Sequence, residues 1–150
     1  MAPRREEDQA RPAAHMLTPG PARAREELAV LYAVLRSKIH RARVTEAVLD
    51  YQGSLSLDTD LMAAADLKQY DWVQITSMAN GARWQTYVLE APAGSGTVRA
   101  NGAAARHFAP GDEVIILAFA YATTEERDGI TPRIVHVDGA NRPVGTTGDA

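Results

Sequence analysis

The sequence predicts a mainly β fold, a small barrel closed on itself and carrying two short helices, and two observations predict it. Strand-like runs alternate with turn residues from about residue 31 to residue 144, at a density typical of all-β domains. The chain also echoes itself at a shift of 41 positions. That shift lays Asp60-Leu-Met-Ala-Ala-Ala-Asp-Leu67 and Asp71-Trp-Val-Gln-Ile75 on Asn101-Gly-Ala-Ala-Ala-Arg-His-Phe108 and Asp112-Glu-Val-Ile-Ile116 without a gap. A duplicated helix, turn and strand suits a pseudo-twofold barrel, which has no open edge to protect.

In chain order, residues 1–29 are rich in arginine, acids and proline and poor in large apolar side chains. They cannot bury enough surface to offset their ordering entropy and read as a flexible extension, with a short helix from Ala22 to Leu31. Residues 30–144 form the folded domain, and 145–150 a flexible polar tail. A strand is expected around Ile39 to Thr45 and another around Leu55 to Leu57, joined through Tyr51-Gln-Gly-Ser54. Thr59 or Asp60 caps a helix through Leu67, and Asn101 caps one through Phe108. Trp72 to Met78 and Arg83 to Leu89 flank Asn80-Gly81 and read as a hairpin. Pro110-Gly-Asp112 turns into Glu113 to Tyr121, whose nearly continuous apolar character suits a strand covered on both faces. Pro132 to Val137 is a further strand, followed by a turn at Asp138-Gly-Ala-Asn141.

Composition narrows the function. The 150 residues carry a net charge of −3, which argues against non-specific nucleic-acid binding. There is no cysteine, so thiolate nucleophiles and sulfur-ligated metals are excluded. His15, His40, His107 and His136 lie far apart and show none of the short spacings of a catalytic zinc site, so no metal is expected. No apolar run approaches the ~18 residues of a membrane span and no leader follows the basic start, so a cytoplasmic protein with no membrane contact is expected. Lys38 and Lys68 are the only lysines, and a chain of this size has little room for a pyridoxal-phosphate fold. Phosphate-cradling glycine loops and a hydrolase elbow are missing as well.

One turn suggests unusual chemistry. In Tyr51-Gln-Gly-Ser54 a serine follows a glycine, and glycine admits backbone angles that let the hydroxyl approach the preceding carbonyl. Such a geometry permits self-cleavage, although Gly-Ser alone is a common turn dipeptide and recurs at Gly94-Ser95.

Several strings carry more weight together. Ser37-Lys-Ile-His-Arg-Ala-Arg-Val-Thr-Glu46, Tyr51-Gln-Gly-Ser54, Asn80-Gly-Ala-Arg83 with Thr86-Tyr87, Asn101-Gly-Ala-Ala-Ala105 and Pro110-Gly-Asp112 occur in order from about Leu35 to Val144. In sequence and spacing they resemble the bacterial, pyruvoyl-dependent aspartate 1-decarboxylase family. Val48, where family members often carry an acid, and Ala93, where a basic residue is common, depart from it. The resemblance implies a double-psi β-barrel and a homotetramer with active sites at subunit interfaces. It also implies self-cleavage between Gly53 and Ser54: the serine attacks the Gly53 carbonyl, the ester eliminates to dehydroalanine, and hydrolysis leaves a pyruvoyl group at residue 54. Some relatives use a helper protein for this maturation.

The implied reaction converts L-aspartate to β-alanine and carbon dioxide, feeding pantothenate and hence coenzyme A synthesis. The pyruvoyl group derived from Ser54 is the electron sink, with neither metal nor pyridoxal phosphate. Arg83 presents a planar fork suited to the carboxylate that is retained, and Lys38 is the second cation. Tyr87 resembles the family's proton donor, since a phenol keeps its proton at neutral pH. Thr86 donates a hydrogen bond to the oxyanion of the processing step and contacts substrate. Tyr51, Asn101, Gly102, Ala103 and Ala104 match positions that line the pocket. Each residue alone has a plainer explanation: aromatics favour strands, and Lys38 with its neighbouring arginines could be a solvated face. Their ordered co-occurrence favours the site. Two alternatives stay open, a pyruvoyl decarboxylase of another acidic amino acid and an uncleaved barrel acting as a binding module.

Overall fold

The computed structural model describes residues 29–148. Nine strands dominate: β1 (Tyr32–Arg43), β2 (Glu46–Val48), β3 (Ser54–Asp58), β4 (Trp72–Ser77), β5 (Arg83–Ala91), β6 (Val98–Asn101), β7 (Glu113–Ala122), β8 (Arg133–Val137) and β9 (Pro143–Thr147). Two short helices, α1 (Thr59–Ala64) and α2 (Thr124–Arg127), and a 3₁₀ turn over Gly102–Arg106 complete it. The fold is mainly β, and its strands form one mixed, barrel-like sheet in the order β2-β6-β3-β5-β4-β7-β1-β8-β9.

Apart from β2, which lies outermost beside β6 with no counterpart, that order is symmetric about its centre. Outward from the antiparallel β4–β7 pair, each side adds an antiparallel strand (β5 or β1), then a parallel one (β3 or β8), then an antiparallel one (β6 or β9). Ile75 pairs with Ile116, its own echo, while Val73↔Ala118 and Ser77↔Val114 are exchanged by the same shift. A residue opposite its repeat partner is what a local twofold axis through that pair requires. Hydrogen bonds repeat too. Asp71 and Asp112 each accept from the backbone N–H three residues earlier, of Lys68 and Ala109, at 3.0 and 2.9 Å. The N–H groups of Asp66 and His107 likewise donate to Ala63 and Ala104.

The core follows from strand alternation. Ile39, Leu55, Leu57, Val73, Ile75, Val88, Val98, Val114, Ile116 and Val135 point inward, and Leu61 and Phe108 are buried in the same cluster. The buried Asn141 donates through Nδ2 to the carbonyls of Arg43 and Gly96, both at 2.8 Å, and accepts from the Arg43 N–H at 2.7 Å. It ties the end of β1 to the turn before β6. Thr45 makes a second tie, exchanging backbone and hydroxyl hydrogen bonds with Val98.

Several boundaries differ from the sequence reading. The first strand begins at Tyr32, because its ladder with β7 reaches Tyr32↔Ala122 and that pairing outweighs the helical propensity of the segment. Residues 29–31 of the expected Ala22 to Leu31 helix have no regular structure, and the rest of it lies outside the described residues. The cap of α1 is Asp58, whose carboxylate accepts from Asp60 N–H, and α1 ends at Ala64, before Asp66 adopts a positive φ of 53°. Asn101 stands before the 3₁₀ turn but makes no side-chain cap, since its amide is engaged elsewhere. Residues 145–147 of the expected tail pair with β8 as part of β9.

Candidate functional site

Residue 54 opens β3, every residue of which is buried. Leu55 and Leu57 face the core opposite Ala100 and Val98 of β6, so the alternation turns Ser54 and Ser56 to the other face, beside Asn101 and Arg99. On that face lies a polar network. Asn101, fully buried, donates through Nδ2 to Ser54 Oγ and to Ser56 Oγ, both at 2.9 Å. The Ser54 hydroxyl donates back to the carbonyl of Gln52 at 3.0 Å, so it folds over the Gly53 peptide unit. Arg99 Nε donates to Asn101 Oδ1 at 2.9 Å and Nη2 reaches Ser56 Oγ at 3.3 Å. Its guanidinium lies 4.9 Å from the centroid of the Tyr51 ring.

The backbone around this serine is closely fitted. Gly102, at φ +70°, lies so near the turn that a Cβ there would meet Gly53 Cα at 2.9 Å, Gly53 N at 3.0 Å and Tyr51 O at 3.1 Å. Only glycine fits both the angle and the space. Ala104 behind it is buried and Ala103 exposed. Tyr51, Gly53, Ser54, Asn101 and Gly102 are therefore brought together.

Tyr87 and Thr86 approach from β5. The parallel β3–β5 ladder begins at Leu55↔Val88, and Tyr87 and Thr86 come one and two residues before Val88, as Ser54 comes one before Leu55. Tyr87 is half-buried, and its ring lies 6.2 Å from that of Tyr70. Tyr70 has a positive φ of 73°, unusual for an aromatic residue, and its N–H donates to the Val88 carbonyl, which pins that loop to β5.

The two cations stand apart from Ser54. Arg83 is exposed at the start of β5, four residues and about 13 Å of strand from Tyr87. Lys38 sits in β1, between Leu117 of β7 and Ile134 of β8, away from β3 and β5. Near it, His40 pairs with His136, with ring centroids 5.8 Å apart, and its Nδ1 is buried without a hydrogen-bond partner. Burial, with Lys38, His136 and Arg41 adding repulsion and Glu113 opposing them, holds the His40 imidazole below its ordinary pKa.

Sequence reasoning did not find Ser56, Arg99 or the pairing of Asn101 with Ser54. Those residues are separated by 43 to 47 positions and meet only through the β3–β6 ladder. Among the described residues, no cluster of three or more His, Asp or Glu could hold a metal. No helix among them is long and apolar enough to cross a membrane.

Comparison with known proteins gives a consistent answer. A family model described as aspartate decarboxylase matches residues 30–144. A curated relative from Gloeobacter violaceus, Aspartate 1-decarboxylase 1, is 56% identical over 115 residues, covering 77% of this chain and 98% of that protein. Aspartate 1-decarboxylase of Stenotrophomonas maltophilia is 48% identical over 109 residues, 73% of this chain and 86% of its own. The enzyme of that name from Corynebacterium efficiens is 48% identical over 121 residues, 81% and 89% of the two chains.

Proposed function

Since the chain belongs to the aspartate decarboxylase family, we propose that it decarboxylates L-aspartate to β-alanine, after cutting itself between Gly53 and Ser54 and converting residue 54 to a pyruvoyl group. The β-alanine would serve pantothenate synthesis. The observation that carries this reading is the buried Ser54 hydroxyl, folded over the Gly53 peptide and held by Gln52 and Asn101.

In the cutting step Ser54 Oγ bonds to the Gly53 carbonyl carbon, the Gly53–Ser54 C–N bond breaks, and the hydroxyl proton ends on the freed amine. Asn101 Nδ2 already donates to the attacking oxygen. Thr86, two residues before Val88 in β5, supplies the hydrogen bond for the carbonyl oxygen as it gains charge. Loss of the Cα proton and of the Gly53 carboxylate then gives dehydroalanine, and water releases ammonia and leaves the ketone. The surroundings suit such a group: the side chain at 54 meets an amide N–H donor and no carboxylate. A pyruvoyl carbonyl supplies a site for the substrate amine and a sink for the electron pair left by carbon dioxide.

The remaining work belongs to side chains. Tyr87 returns a proton to the carbon that loses carbon dioxide. Arg83 grips the retained carboxylate and Lys38 orients the substrate. Because both cations stand apart from Ser54 within one chain, a homotetramer with sites between subunits is the assembly that fits. The exposed aromatics Trp72 and Tyr121 line a groove with Ala33, Gln74, Gln85 and Phe119 that such an assembly would cover. A helper protein for maturation is compatible with this scheme.

Mass spectrometry of denatured protein, beside an assay for carbon dioxide release, tests the reading. Expected are two fragments meeting at 53/54, the larger without an N-terminal amine, and turnover of L-aspartate. Turnover confined to glutamate or cysteine sulfinate would reassign the substrate. A wholly intact, inactive chain would leave a binding module.

A further inference from the structure

We infer that Arg99 is a positioning residue for chain cutting: it fixes which way the Asn101 amide faces, and through Asn101 it sets the Ser54 hydroxyl. This rests on the cleavage reading above and adds a residue with which that reading does not concern itself.

Donors and acceptors decide which way the amide faces. An amide side chain offers an oxygen on one side and an NH2 on the other, and turning it end for end exchanges them with little change of shape. Buried between two serines, Asn101 could satisfy itself either way, because a hydroxyl donates or accepts. Arginine cannot: it carries only donors. With Arg99 Nε 2.9 Å from the amide, the oxygen must face Arg99 and the NH2 must face the serines. Its two hydrogens then divide between Ser54 Oγ and Ser56 Oγ, both at 2.9 Å. Ser54 Oγ is left to accept from Asn101 and to direct its own hydrogen at the Gln52 carbonyl, 3.0 Å away. In the reversed amide the serine would give its hydrogen to Asn101 Oδ1, and the hydroxyl would lose the bond to Gln52 that folds it over the Gly53 peptide.

Arg99 is itself held. Its Nη2 donates to Ser56 Oγ at 3.3 Å, and its plane rests on the Tyr51 ring, 4.9 Å from the centroid. Tyr51 is two residues from Gly53, so the same arginine braces the chain on both sides of the bond to be cut. Ser56 gives the second amide hydrogen its own acceptor, which keeps the NH2 turned to this side.

The test compares cutting rates by intact mass on freshly purified chains. Arg99→Met keeps the length and the stem packed on Tyr51 but removes every donor. It should slow cutting at least tenfold while the thermal midpoint stays within a few degrees of wild type. Arg99→Lys, again donor-only, should recover the rate to within threefold. A methionine variant cut as fast as wild type, or a lysine variant as slow as the methionine one, would overturn the inference. Should Arg99→Met fail to fold, Arg99→Gln decides, since its own amide both donates and accepts and cannot impose an orientation. At least threefold slowing is then expected, and an unchanged rate overturns the proposal. Wild-type protein that never cuts defeats the cleavage reading and this inference together, whereas wild-type and Arg99→Met cutting alike defeats the inference alone.

Discussion

Replacing Gly102 by alanine separates two costs that the structure superimposes at one atom. The first is conformational: at φ +70° an L-residue loses about 1–2 kcal/mol relative to glycine. The second is steric, because the new methyl would stand 2.9 to 3.1 Å from three backbone atoms of Tyr51 and Gly53, and backbone cannot swing aside as a flexible side chain can. Overpacking of that kind costs roughly 1–3 kcal/mol more. Gly81 supplies the control. Its φ is +72° and nothing lies within 4 Å of a Cβ built there, so Gly81→Ala carries the conformational cost alone. Urea unfolding at one fixed protein concentration should therefore place Gly102→Ala about 1–3 kcal/mol below Gly81→Ala. The cut should slow only in Gly102→Ala, because the displaced atoms belong to the cleavage turn. Equal stability of the two variants, with equal cutting, would refute the claim that Gly102 is held to glycine by the Gly53 backbone.

Ser54→Ala should remain one intact, inactive chain that still folds, judged by mass and circular dichroism; a cut in this variant would move the nucleophile elsewhere. Tyr87→Phe should still be cut but lose turnover on the order of 10²-fold, measured as carbon dioxide release. An uncut Tyr87→Phe chain would give the phenol a part in maturation. Stability should also fall as the pH drops. Because the His40 imidazole is held below its ordinary pKa in the fold, the unfolded chain binds a proton near pH 6.5 that the folded chain takes up only at lower pH. The unfolded state thus carries more protons across that window, and urea midpoints should decline there; His40→Gln should flatten the decline. Glu113, held low by Arg41, and Asp138, held low by the N–H groups of Arg142 and Ala140, lose their contributions only at more acid pH.

How much was legible depended on whether a signal was local. The Asn80-Gly81 hairpin, the apolar β7 run and the strand ending at Val137 announce themselves within a few residues, and all three form. The repeat was readable because two similar segments occur without a gap, and the structure shows why it matters: Ile75 faces Ile116 across the centre of the sheet. Helix α2 was missed although its signal was present, since Thr123 and Glu126 form a reciprocal capping box. Strand β9 has no comparable mark, being exposed throughout and held by its ladder to β8. At the site, the Gly53-Ser54 turn was visible, but the network behind it was not. Asn101 read as a helix cap because Asn before an alanine run does so locally. Its actual partners lie 45 and 47 residues away, and only the β3–β6 register reveals them.

If the backbone is severed at 53/54 as proposed, the position of β1 has a consequence. That strand lies inside the sheet, bonded to β7 on one flank and β8 on the other, while β2 on the same fragment is bonded to β6. The shorter peptide is thus woven into the longer one and cannot peel away as an edge would. Once denatured, however, the two peptides must find each other again. Renaturation of mature protein should be second order and faster when more concentrated, even before any larger assembly forms, whereas the intact Ser54→Ala chain should restore this weave at a rate independent of dilution.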